Sequence, residues 1–151
     1  MRIIEDDLTG PDITALLKYH LKQMHLNSPP GSVFAFDVDR LRGDDVTFWS
    51  GWQDDALLGC GAMKALNATS GEIKSMRTAP DHLRNGVAAA LLDHIIGVAV
   101  ARGYRCLSLE TGSGPAFEPA LALYRRRGFT AGPAFGGYEA SAFNQFLHLT
   151  L

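Results

Sequence analysis

The chain has 151 residues, 46% hydrophobic and 20% charged, values of an ordinary globular protein and outside the disordered class. That length suits one domain, residues 1–151, with a core of its own. A net charge of −2 gives no case for nucleic acid or an anionic membrane as partner.

Met1 to Asp7 lacks the basic-then-apolar order of a signal peptide. The longest apolar stretch, Gly86 to Ala101, is short for a membrane span and is broken by Asp93 and His94. A soluble, cytoplasmic protein is expected. Cys60 and Cys106 lie in strand-like runs without metal-like spacing and read as buried, inert thiols.

In chain order, Arg2 to Asp7 suits a first strand. Thr9 or Asp12 is placed to cap a helix running to about Leu26, with Pro11 in its first turn. Ile13, Leu16, Leu17, Leu21 and Met24 give that helix one apolar face. His20 and His25 on it are poorly spaced to share a metal. Asn27 to Gly31 is a breaker, and Ser32 to Arg42 reads as a short second helix or an irregular segment. Val46 to Trp52 alternates as a strand, Asp54-Asp55 makes a hairpin turn, and Leu57 to Leu66 returns. Asn67 to Gly71 turns the chain into a further strand. Gly59-Cys60-Gly61 and Gly112-Ser113-Gly114 do not complete a dinucleotide fingerprint, because Lys64 and Phe117 stand at the final glycine positions.

The organising stretch is Glu72 to Leu92. Glu72 to Thr78 is strand-like, and Pro80 ends it because proline cannot donate to a ladder. The loop Asp81 to Gly86 opens onto the apolar run Val87 to Leu92. A helix N-terminus leaves N–H groups unpaired at the positive end of its dipole. Gly86 permits close backbone approach, so the loop reads either as an ordinary strand-to-helix connection or as an anion cradle suited to phosphate. The helix from about Arg84 to Arg102 is apolar on most sides and ends at Gly103. Cys106 to Glu110 is a strand, Phe117 to Arg127 the last helix, and Phe143 to Leu151 a final strand with Leu147, Leu149 and Leu151 on its inward face. Together these elements give an α/β (α+β) sandwich with a mixed, largely antiparallel sheet.

Leu83-Arg84-Asn85-Gly86-Val87-Ala88 resembles the (Arg/Gln)-x-x-Gly-x-(Gly/Ala) motif of the GCN5-related N-acetyltransferases, the GNAT superfamily. Leu83 departs from the usual basic or amide residue. Ala120 to Phe129 resembles the same family's A-x-x-L-Y-x-x-x-G-F helix end. The resemblance implies helices on both faces of the sheet and acetyl-CoA as acyl donor, with no metal. It places Leu83, Arg84, Asn85, Gly86, Val87 and Ala88 at the phosphates, and the backbone of Met76 and Thr78 along the pantetheine arm. Phe117 stands where many members carry an Asn that bonds that arm, a bond Phe cannot make.

The implied reaction is direct acetyl transfer to a primary amine in a ternary complex. A free amine has a pKa of about 10.4 and must lose a proton before it attacks. Glu72 matches the position of a strand general base in some members, and Glu110 is the alternative. Tyr124 matches the general acid beside the sulfur, its phenol staying protonated at neutral pH. Phe34, Phe36 and Asp37 are substrate-side candidates on the same resemblance, with core packing the alternative for the two Phe residues. A catalytically weak acyl-CoA-binding regulatory module is the competing reading, prompted by Leu83 and Phe117. The expected partner is a small-molecule or peptide amine. Homodimerisation is common in the family, and neither acceptor nor acyl length is fixed by these residues.

Overall fold

The computed structural model describes residues 1–34 and 37–151. The strands and helices run in the order β1 (Arg2–Glu5), α1 (Pro11–Asn27), α2 (Val38–Leu41), β2 (Val46–Gln53), β3 (Ala56–Asn67) and β4 (Ser70–Thr78). They continue with α3 (Val87–Ala101), β5 (Cys106–Thr111), α4 (Glu118–Arg126), β6 (Thr130–Ala131) and β7 (Gln145–Thr150). The strands form one seven-stranded sheet in the order β1-β2-β3-β4-β5-β7-β6, antiparallel except between β4 and β5.

The helices divide between the two faces. Ile13, Leu16 and Leu17 of α1, with Leu41 of α2, pack over Phe48, Cys60 and Ala62. Val87, Leu91, Leu92, Ile95 and Ala99 of α3 join Leu121 and Tyr124 of α4 over Met63, Ile73, Leu107 and Leu109. Gly59 and Gly61 let α3 come close. A Cβ on Gly59 would lie 2.8 Å from both the Arg77 carbonyl and Val87 Cγ1, and one on Gly61 would lie 2.5 Å from Met76 Sδ. Those glycines serve helix–sheet contact, which accounts for the incomplete dinucleotide pattern.

Pairing between β4 and β5 covers Ser70–Glu72 against Cys106–Ser108. Past that point β4 runs on to Thr78 and β5 to Thr111 as separate strands. A bulge in β4 marks the divergence: Cys60 pairs with Arg77 and Ala62 with Lys74, so Ser75 and Met76 oppose Gly61 alone. Ser75 takes φ 56 there. The extra residue keeps Lys74 and Arg77 on the same face, that of α1.

Several expected boundaries shift. The N-cap of α1 is Gly10, without a side-chain bond; the Thr9 hydroxyl donates to Asp7 instead. α3 begins at Val87 rather than near Arg84, because Arg84 (φ 64) and Gly86 (φ 76) adopt left-handed conformations that no helix accommodates. α4 is preceded by a separate 3-10 turn, Pro115–Phe117. Cys60 is buried, its thiol pushed up to about 12 by desolvation, whereas Cys106 is half-exposed rather than buried. Among the described residues no helix is long and apolar enough to cross a membrane.

Candidate active site

Where β4 and β5 separate, the sheet opens into a cavity of about 180 Å³, lined from α1, β4, β5, α4 and the chain after β6. Glu72, Met76, Phe117 and Tyr124 all line it, as does Glu110. Residues 83–88 and Thr78 are not in its wall. They stand at the approach to α3 and on the last position of β4. Phe34 lines the cavity; Asp37 does not, and its carboxylate caps α2 by accepting from the Arg40 amide. Phe36 lies outside the described residues.

On the α3 side, Leu83, Arg84, Asn85 and Gly86 are all exposed, and no side chain caps the helix. Successive N–H groups in left-handed turns leading into a helix form an anion-binding concavity. Arg84 adds a positive charge beside it, so the residues present fit a pyrophosphate. Tyr124 projects from α4, 6% exposed and in edge contact with Phe129 at 5.6 Å. Burial pushes its phenol up to about 12, against a smaller opposing pull from Arg77. Phe117 is buried against Phe143 at 5.6 Å, so packing takes the place of an amide at that position.

The α1 side is built from side chains. Lys74 Nζ lies 3.2 Å from Glu72 Oε2, with both side chains 5% exposed. The Tyr138 hydroxyl is 2.8 Å from Lys74 Nζ and donates to the same Glu72 oxygen. Burial, then the Glu72 carboxylate, pushes the Tyr138 phenol up, while desolvation lowers Lys74 against the pull of Glu72. Glu72 is thus a shared acceptor within a buried pair. Glu110, on β5, is raised to about 7, chiefly by desolvation, with Lys74 opposing and Glu72 reinforcing. Arg77 Nε donates to His20 Nδ1 at 2.9 Å. Burial holds His20 down at about 3, so the imidazole is neutral and free to accept.

The sequence reading missed Tyr138, Lys74, Arg77 and His20. Tyr138 is 66 residues from Glu72 along the chain, in a stretch without periodicity. Lys74 and Arg77 carried a signal of a kind, being two cations on a strand otherwise facing inward. Among the described residues no group of three His, Cys, Asp or Glu side chains is placed to hold a metal.

The Acetyltransferase (GNAT) family profile matches residues 13–129. The chain is 52% identical over 147 residues to the uncharacterized N-acetyltransferase YsnE of Bacillus subtilis strain 168, covering 97% of each. It is 47% identical over 146 residues to the uncharacterized N-acetyltransferase YedL of Escherichia coli K12, covering 97% of this chain and 92% of that one. In fold it is similar to a GNAT family acetyltransferase from Elizabethkingia anophelis with acetyl-CoA bound, at TM-score 0.73 and 18% identity, covering 99% of this chain and 97% of that one.

Proposed function

The chain belongs to the GNAT acetyltransferase family and is an acyltransferase, and from that premise we propose that residues 1–151 form one domain that acetylates a primary amine directly, in a ternary complex with acetyl-CoA. The observation that carries this reading is the meeting of Glu110 and Tyr124, from β5 and α4, in one cavity at the divergence of β4 and β5. Acetyl-CoA, when bound, supplies the activated acetyl group. The turn at Arg84 to Ala88 holds its phosphates, and the β4 edge from Met76 to Thr78 offers backbone groups to the pantetheine arm.

Glu110 takes the proton from the acceptor ammonium. A carboxylate near 7 is half ionised at neutral pH and still basic enough to accept a proton, which suits a general base. Glu72 is less suited, since its oxygen is already shared by Lys74 and Tyr138. The freed amine nitrogen would bond to the acetyl carbon as the carbon–sulfur bond breaks, and would shed its second proton to solvent to leave the neutral amide. Tyr124 donates a hydrogen bond to the departing sulfur. At about 12 the phenol is a weaker acid than a thiol, near 8.5, so Tyr124 stabilises the thiolate and solvent completes its protonation. Neither cysteine lines the cavity, which favours direct transfer over an acyl-enzyme. Supply of acetyl-CoA makes the cytoplasm the compartment that fits this reading.

Calorimetric titration tests the proposal first. Micromolar binding of acetyl-CoA and CoA without NADH binding is expected, followed by thiol release with an amine acceptor. Ping-pong kinetics with a labelled acyl-enzyme would overturn direct transfer, and absence of CoA binding would overturn the whole reading.

A further inference from the structure

Two cations, Lys74 and Arg77, line the cavity alongside two carboxylates, Glu72 and Glu110. Lys74 and Glu72 neutralise one another at 3.2 Å. What remains is Glu110 on one strand and Arg77 on the other.

The setting of Arg77 is unusual for a half-buried guanidinium. Its Nε is fixed to a neutral imidazole at 2.9 Å, and its Cζ lies over the Tyr19 ring, 5.7 Å from the ring centroid. No carboxylate of the described residues forms an ion pair with it, and neither Nη nitrogen has a hydrogen-bond partner among them. A desolvated charge without a counter-ion is costly unless something completes it. Arginine matches a carboxylate through two parallel N–H bonds, and here Nε and the ring contact leave the Nη side to do so. Nothing in α1 prevents this, because His20 is neutral and Tyr19 presents only its ring.

We propose, building on the acetyl-transfer reading, that the acceptor is a free amino acid with an apolar side chain, its carboxylate held by Arg77. Met24, Phe34 and Phe143 supply apolar wall for the side chain. Polyamines are disfavoured, since they bring a second cation toward Arg77 and Lys74. Protein N-termini are disfavoured because a peptide α-amine carries no carboxylate beside it.

The test uses the intact protein with acetyl-CoA, following thiol release against the twenty amino acids, their amides and the matching decarboxylated amines. Leucine with isoamylamine, and phenylalanine with phenethylamine, are the informative pairs. At least one apolar amino acid is expected to exceed both its amide and its amine in kcat/KM, by on the order of 10–100-fold, the range of a charge-assisted hydrogen-bonded contact. Arg77→Gln is expected to collapse that preference to within about 3-fold, acting mainly through KM for the amino acid, with acetyl-CoA affinity by calorimetry unchanged. Arg77→Lys keeps the charge without the fork and should restore part of the preference; thermal melts of both variants establish that they fold.

Amines or amides acetylated as well as the amino acids overturn the carboxylate assignment while leaving acetyl transfer standing. So does a uniform loss of kcat in Arg77→Gln for every acceptor, which would place Arg77 at the sulfur. Acetyl-CoA binding without turnover of any of the twenty also overturns it. Failure of acetyl-CoA to bind removes the underlying reading as well.

Discussion

On the α3 side of the cleft, the groups offered to a ligand belong to the backbone: the amides between Arg84 and Ala88 and the β4 edge past Glu72. On the α1 side they are side chains, and each is held by another: Lys74 by Glu72 and Tyr138, Arg77 by His20. A backbone site constrains few residue types, so apolar side chains such as Leu83 and Phe117 leave its amides in place. A side-chain site loses its shape when any one member changes. The first arrangement suits a donor shared by a whole family, and the second suits an acceptor that differs from member to member.

That contrast is open to attack, most strongly at Glu110. Glu110→Gln is expected to lower kcat/KM by about 10²–10⁴-fold. Because the base must be deprotonated, wild-type kcat/KM should rise with pH through about 7, and this limb should vanish in the variant. Glu72→Gln losing as much activity, with the limb intact in Glu110→Gln, would return the base to β4.

Next comes a change that reaches the backbone site without touching it. Gly59→Val places atoms within 2.8 Å of the Arg77 carbonyl and of Val87, the first residue of α3. Overpacking of this kind costs about 1–3 kcal/mol. The N-terminus of α3 should shift, and acetyl-CoA should weaken by roughly 10-fold on calorimetry, the lower part of that energy range. Unchanged affinity would separate the helix position from the cradle.

Tyr138→Phe removes one hydroxyl from the Lys74–Glu72 pair. Denaturant unfolding should register a loss of about 1–3 kcal/mol, the cost of an unmade buried hydrogen bond, while acetyl-CoA affinity stays put. A matching drop in acetyl-CoA affinity would mean that the two sides are not independent. The smallest effect is expected from Leu83→Arg, which adds a charged side chain at the exposed turn. Acetyl-CoA binding should tighten by a few-fold, about 0.5–1 kcal/mol, and should do so less at high salt.

The same contrast explains what the sequence disclosed. Strand alternation, the Gly86 turn and the apolar run of α3 are local patterns, and the structure carries the three as strands, a left-handed turn and a helix whose Val87, Leu91, Leu92, Ile95 and Ala99 are buried. The spacing that sets Tyr124 on α4 is local too. The α1-side wall, where the acceptor is proposed to sit, is not local. Tyr138 meets Glu72 across 66 residues, and Arg77 meets His20 across 57. The β4 bulge that brings Lys74 and Arg77 to one face depends on Gly61 of the neighbouring strand. Glu110 was visible as an alternative, but its raised pKa is a product of burial, which one strand cannot reveal. Gly59 and Gly61 looked like fragments of a nucleotide motif because a glycine's sequence context does not say which neighbour needs the space.

Among the described residues, strand pairing between the first four strands and the last three covers only Ser70 to Glu72 against Cys106 to Ser108, extended by one backbone bond from the Arg105 N–H to the Thr69 carbonyl. The sheet therefore has a seam, and the seam opens into the place where the proposed donor lies. A molecule bound there acts as a removable suture, raising the free energy of opening by an amount set by its concentration over its Kd. Resistance to proteolysis would then follow acetyl-CoA supply: a cell rich in it would keep more of this chain intact, and a starved one would hold it less securely closed.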